Sequence, residues 1–160
     1  VDKVELDDYK VDSLFPTIDR SKTIAHCKHF LAVTFPAMIR RSGMNEPSQT
    51  EYEEMISGLK SPSMDGMPKA ASAENHQDVT IIRRLYAQQV VKRTVEAISH
   101  CDQKSKEVLS QLYLDHFTDT MCWMNIGYSK SQYFDQIKPE ALLQFADAYL
   151  LDDLHIYEDD

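Results

Sequence analysis

The residues whose types and spacing suit recognition chemistry lie toward the C-terminal end, in Ile126-Gly127-Tyr128-Ser129 followed by Lys130, Ser131, Gln132 and Tyr133. Gly127 can take the positive φ that ends a helix abruptly, and Ser129 can start the next one by accepting a backbone N–H. Two helices joined by so short a turn cross steeply, which presents the second to the major groove of DNA. Glutamine can then pair with adenine through two hydrogen bonds, lysine can meet guanine or phosphate, and serine and tyrosine hydroxyls can anchor the backbone. The candidate DNA-binding residues are accordingly Thr118, Ser129, Lys130, Ser131, Gln132, Tyr133, Gln136 and Lys138. Phe134 and Ile137 are expected to face inward, against Trp123 and Met124. The bland alternative is a helical hairpin whose polar residues are merely exposed.

The elements that must position these residues are helical. Val108, Leu109, Leu112 and Tyr113 mark a first short block, Thr118 caps a second reaching Asn125, and Ser129 caps the third. Upstream, Ile24, Cys27, Leu31, Phe35 and Met38 recur at three- and four-residue spacing and predict a helix over 20–41. Pro36 should kink that helix or end it near Phe35, and Gly43 gives a stop. Residues 51–56 can add a helical turn or two. Residues 57–74, SGLKSPSMDGMPKAASAE, have the composition of a loop. A long helix then runs from Asn75 or Asp78 to about Cys101, with Val79, Ile82, Tyr86, Val90, Thr94, Ala97 and Cys101 on its apolar face. The predicted fold class is all-α: an N-terminal helical region (1–57), a loop-rich linker (58–77), and a long helix with a C-terminal helix-turn-helix domain and acidic tail (78–160).

A formal charge of −9 is unexpected for a partner of nucleic acid, so its distribution matters. Residues 1–20 hold six acids against three bases and residues 140–160 hold seven acids against none, so the chain between them is about neutral. Acidic ends of this kind ordinarily solubilise, and some contact a partner such as polymerase. Cys27, Cys101 and Cys122 are odd in number and lack CxxC spacing, which argues against a disulfide framework and for a reducing cytoplasm. His26-Cys27-Lys28-His29 and His100-Cys101 could meet at a zinc ion only with difficulty, because adjacent helical residues point to different faces. No metal or other cofactor is expected. No run of eighteen apolar residues predicts a membrane span, and 1–12 has no apolar leader segment. The start on Val1 rather than Met suggests a trimmed or processed end.

The stretch IGYSKSQYF followed by PEALLQFADAY resembles the C-terminal signature of the ArpU family of phage late-transcription regulators. LFPTIDRSKT and SPSMDGMPK are similar to that family's N-terminal and linker patterns, so the resemblance runs in order over about 14–149. It implies a helix-turn-helix similar to the fourth region of bacterial sigma factors, binding of promoter DNA in the cytoplasm of a bacterial host, and activation of late genes. Asp135, Gln136 and Pro139 depart from the basic third helix usual there, which implies fewer phosphate contacts. Pro139 should also kink the chain ahead of a stripe formed by Ala141, Leu142, Phe145 and Tyr149.

Two other classes compete. A small terminase-like packaging subunit would form a large ring, and a sigma-like interaction protein would touch host RNA polymerase with little preference for DNA sequence. An enzyme is disfavoured by the lack of a P-loop, a Gly-rich dinucleotide turn, HExxH or a nucleophile elbow. The stripes at Ile24 to Met38 and Ala141 to Tyr149 point to self-association as a homodimer.

Overall fold

Asp19 opens a helix by accepting the Lys22 backbone N–H at 3.0 Å, and the helix ends at Gly43, whose φ of +73° reverses the chain. The computed structural model describes residues 14–44 and 76–159, so the readings for 1–12, 51–56 and 57–74 lie outside the described residues. Among the described residues the chain is helical and has no sheet. Helix α1 spans 20–42, α2 His76–His100, α3 103–114, α4 Asp119–Ile126 and α5 130–148.

Neither internal proline breaks its helix. Pro36 stands one residue after a π-helical turn, Phe30–Thr34, closed by the Phe35 N–H donating to Phe30 O. Pro139 likewise follows Tyr133–Ile137, closed by the Lys138 N–H donating to Tyr133 O. Proline lacks an N–H, and its ring crowds the carbonyl four residues back. A widened turn just before it relieves that crowding and lets the helix continue. Of the two outcomes expected at Pro36, a kink or an end near Phe35, the helix does not end there, and α1 runs on to Ser42.

The N-terminal helix does not form a unit of its own. Cys27, Phe30 and Leu31 of α1 share one core with Val90, Ala97 and Ile98 of α2, Val108 and Leu109 of α3, Cys122 of α4, and Ile137, Ala141, Leu142, Phe145 and Ala146 of α5. Phe30 lies 5.9 Å from Phe145 and 5.0 Å from Tyr149, ring centre to ring centre, so three aromatic rings join α1 to the C-terminal end of α5. The stripes that suggested a homodimer are thus largely used within one chain: the Ile24, Cys27 and Leu31 part of the α1 stripe shares a core with Ala141, Leu142 and Phe145 of α5. Phe35 packs separately with Val91 and Val95 of α2. Only the C-terminal part of the predicted α2 stripe is covered, since Val90, Thr94 and Ala97 are buried whereas Ile82 and Tyr86 are exposed.

The acidic C-terminal segment folds back rather than trailing. Asp19 N–H donates to Ile156 O at 2.7 Å and Glu158 N–H to Thr17 O at 3.0 Å, making a single antiparallel bridge between Ile18 and Tyr157. Thr23, fully buried, exchanges hydrogen bonds with Ile156 through its hydroxyl. His26 Nδ1 sits 2.9 Å from Leu154 O, and the Leu154 side chain is buried in the core. His155 bridges Asp147 of α5 (2.7 Å) and Asp153 (2.6 Å). Burial opposes its protonation, but the hydrogen bonds to Asp147 and Asp153 outweigh it and raise the pKa above 6.5.

Leu154→Ala should lower the unfolding free energy by about 2–5 kcal/mol, the usual cost of emptying a buried leucine site. Urea denaturation checks this, and an unchanged midpoint would detach the tail from the fold. A raised histidine pKa stabilises fully below 6.5 and loses that contribution as pH rises through the folded value. The wild-type midpoint should therefore fall across that window more steeply than the midpoint of His155→Gln.

Candidate nucleic-acid interface

Three helix starts and one reversal build the C-terminal unit. Asp102 caps α3 by accepting the Ser105 N–H at 2.8 Å, and Gln144 of α5 holds the same residue by two hydrogen bonds, at 2.7 and 2.9 Å. Thr118 caps α4 by accepting the Met121 N–H at 3.2 Å. Gly127 leaves α4 with φ +86°, its N–H returning to Trp123 O. Ser129 then caps α5 by accepting the Gln132 N–H at 3.2 Å. The reversal expected at Gly127 and the cap expected at Ser129 are thus present, each cap satisfying an N–H that its helix leaves open.

The side chains beyond Ser129 divide into two faces. Lys130, Ser131, Gln132, Asp135 and Gln136 are exposed. Ser131 donates to Asp135 Oδ2 at 3.2 Å, and Ser129 Oγ lies 3.3 Å from Gln132 Oε1. These bonds are local and solvent-accessible, so a ligand can replace them at little cost.

Tyr133 and Lys138 face the other way, which corrects their assignment as DNA contacts. The Tyr133 side chain is fully buried, and its hydroxyl donates to Asp119 Oδ1 at 2.7 Å. Lys138 is 8% exposed and its Nζ donates to that same oxygen, also at 2.7 Å. Burial pushes the Tyr133 hydroxyl well above its ordinary pKa, and the Asp119 carboxylate adds to the effect. For Asp119, burial opposes the charge, but the bonds from Lys138 and Tyr133 prevail and hold its pKa below 3.8. A tyrosine and a lysine are tolerated inside because a charged acceptor meets both.

With Tyr133 inside, Ile137, Ala141, Phe145 and Tyr149 continue the inner line at four-residue spacing, and Phe134 turns outward. Phe134 is 40% exposed and Met124 64%, against the inward packing expected for both, while Trp123 is partly buried as expected. Thr118 is exposed and already engaged as a cap.

Sequence reasoning missed Asp119 and Lys104. An acid in the first turn of a helix is favourable anyway, so it carries no mark of a distant partner. Lys104, on the first turn of α3, places its Nζ 4.7 Å from the centre of the Tyr128 ring in the turn, a contact that only the helix crossing creates. Residues 103–138 contain four bases and four acids. One of those bases, Lys138, is spent on Asp119, so Lys104, Lys106 and Lys130 are the exposed cations of this stretch.

Burial pushes the thiols of Cys27 and Cys101 up to about 12, which keeps them protonated and unreactive. Among the described residues no group of three or more potential ligands could hold a metal ion, and no helix is long and apolar enough to cross a membrane. Comparison with known proteins returns no match to a family model, to a curated protein or to a solved structure.

Asp119→Asn should destabilise the chain by about 1–3 kcal/mol, because the buried Lys138 ammonium loses its charged partner. A carboxylate with a depressed pKa stabilises fully above the unfolded value and loses that contribution as pH falls below it. The unfolding free energy of the wild type should therefore drop as pH falls below 3.8, with a smaller slope in Asp119→Asn. Equal slopes would mean that the carboxylate does not hold the two helices.

Proposed function

We propose that this chain is a sequence-specific DNA-binding regulator that reads duplex promoter DNA with the N-terminal turns of α5. The observation that carries the reading is the α4–Gly127–Ser129–α5 turn, which leaves Lys130, Ser131, Gln132 and Gln136 exposed on a helix fixed from behind by Asp119. Their chemistry suits duplex recognition, with amide and ammonium groups for base edges and hydroxyls for phosphates. The resemblance of IGYSKSQYF and PEALLQFADAY to the ArpU regulators supports control of phage late genes in a bacterial cytoplasm. With three exposed lysines across 103–138, the electrostatic share of binding is small, and affinity falls only moderately with salt.

A second reading, contact with host RNA polymerase, is favoured by Met121 and Met124. Both lie exposed on α4, at 50% and 64%, where polarizable side chains suit a protein surface. The two readings are compatible, since α4 and α5 present different residues.

Footprinting of the purified protein across promoter DNA from its own source should show a discrete protected site. Gln132→Ala should then cost about 1–3 kcal/mol and relax preference at one base pair. Lys130→Ala should weaken cognate and random DNA alike and lower the salt slope by about one. If both variants stay folded and bind the site as the wild type does, α5 is not the reading helix.

A further inference from the structure

Phe134 is the apolar side chain that stands out on the polar face of α5, one turn beyond Lys130, with Ser131, Gln132, Asp135 and Gln136 exposed around it. Leaving a large ring 40% exposed forgoes burial, so its position calls for a reason. Its orientation is also set. The ring meets the buried Tyr133 ring edge to face, at 5.0 Å and 83°, and Lys138 Nζ lies 5.9 Å from its centre. Both of those neighbours are tied to Asp119. Phe134 is therefore held by the same contacts that orient the helix, and it reaches the surface with little freedom left to lose on binding.

The major-groove edge of a base pair is polar except at one group, the C5-methyl of thymine, which phenylalanine contacts by apolar packing. We propose that Phe134 is a specificity-determining residue that reads a thymine methyl in the operator. The inference rests on the DNA-binding reading above. It identifies a base that the hydrogen-bonding groups Lys130, Ser131 and Gln132 do not select, since none of them needs a methyl group. A ring flanked along its own helix by the polar Ser131, Gln132, Asp135 and Gln136 fits a surface that is polar apart from one methyl, whereas a protein partner favours a continuous apolar patch.

The test uses the full chain and a duplex recovered by selection from a random double-stranded library. Each thymine of the selected site is replaced in turn by deoxyuridine, which removes only the methyl. Wild type should lose about fourfold in affinity at one position, the scale of one buried methyl group. Phe134→Ala, with an unchanged melting temperature, should bind thymine and uracil equally there. Lys130→Ala should bind more weakly throughout yet keep the fourfold difference. A selected site at which no uracil substitution matters overturns the proposal, as does a thymine preference that persists in Phe134→Ala, and Phe134 then belongs to a protein contact. Failure to select any duplex is a separate result, which rejects the DNA-binding reading itself.

Discussion

A single carboxylate oxygen holds the C-terminal unit in its geometry. Asp119 Oδ1 receives the Tyr133 hydroxyl and the Lys138 ammonium at 2.7 Å each, so the start of α4 is tied to two successive turns of α5. Removing it would leave a cation at 8% exposure without the charged partner that offsets its desolvation. The tie also decides which face of α5 looks outward. With Tyr133 and Lys138 drawn inward, Lys130, Ser131, Gln132, Phe134 and Gln136 are presented together. A less buried pairing would let α5 rotate about its axis and scatter that set.

The remaining architecture supports this unit from behind. Helix α1 lies across α5 through Phe30, Phe145 and Tyr149, and the C-terminal segment returns over the start of α1 by way of Thr23, His26 and Leu154. Gln144 grips the α3 cap at Asp102 from the far end of α5. The first turns of α5 are therefore held by Asp119 and its far end by α1, Gln144 and the C-terminal segment, an arrangement that suits rigid presentation of a few side chains.

Local features were legible in the sequence because their partners lie within a few residues. Thr118, Ser129, Gly127 and Gly43 act where their types and spacing placed them, as caps and reversals. The inner face of α1 was legible for a similar reason, since Cys27, Leu31 and Phe35 repeat with the helical period. Tyr133 and Lys138 were misplaced because polarity alone suggests a surface, and their acceptor is 14 and 19 residues away. Phe134 was misplaced with them: once Tyr133 takes the inner line with Ile137 and Ala141, the Phe134 ring is left at the edge of that face. The π-turns that carry α1 and α5 past Pro36 and Pro139 leave no compositional mark. The shared core was missed because the loop composition of 57–74 says nothing about whether the helices on either side touch.

The central claim, that the exposed turns of α5 meet duplex DNA while its inner face stays packed, is tested most directly by following backbone amide signals as a selected duplex is added. The account predicts that Ser129, Lys130, Ser131, Gln132 and Gln136 shift most, with Ala141, Leu142 and Phe145 nearly unmoved. Shifts confined to α1 or to the C-terminal segment, or equal along all of α5, would contradict it.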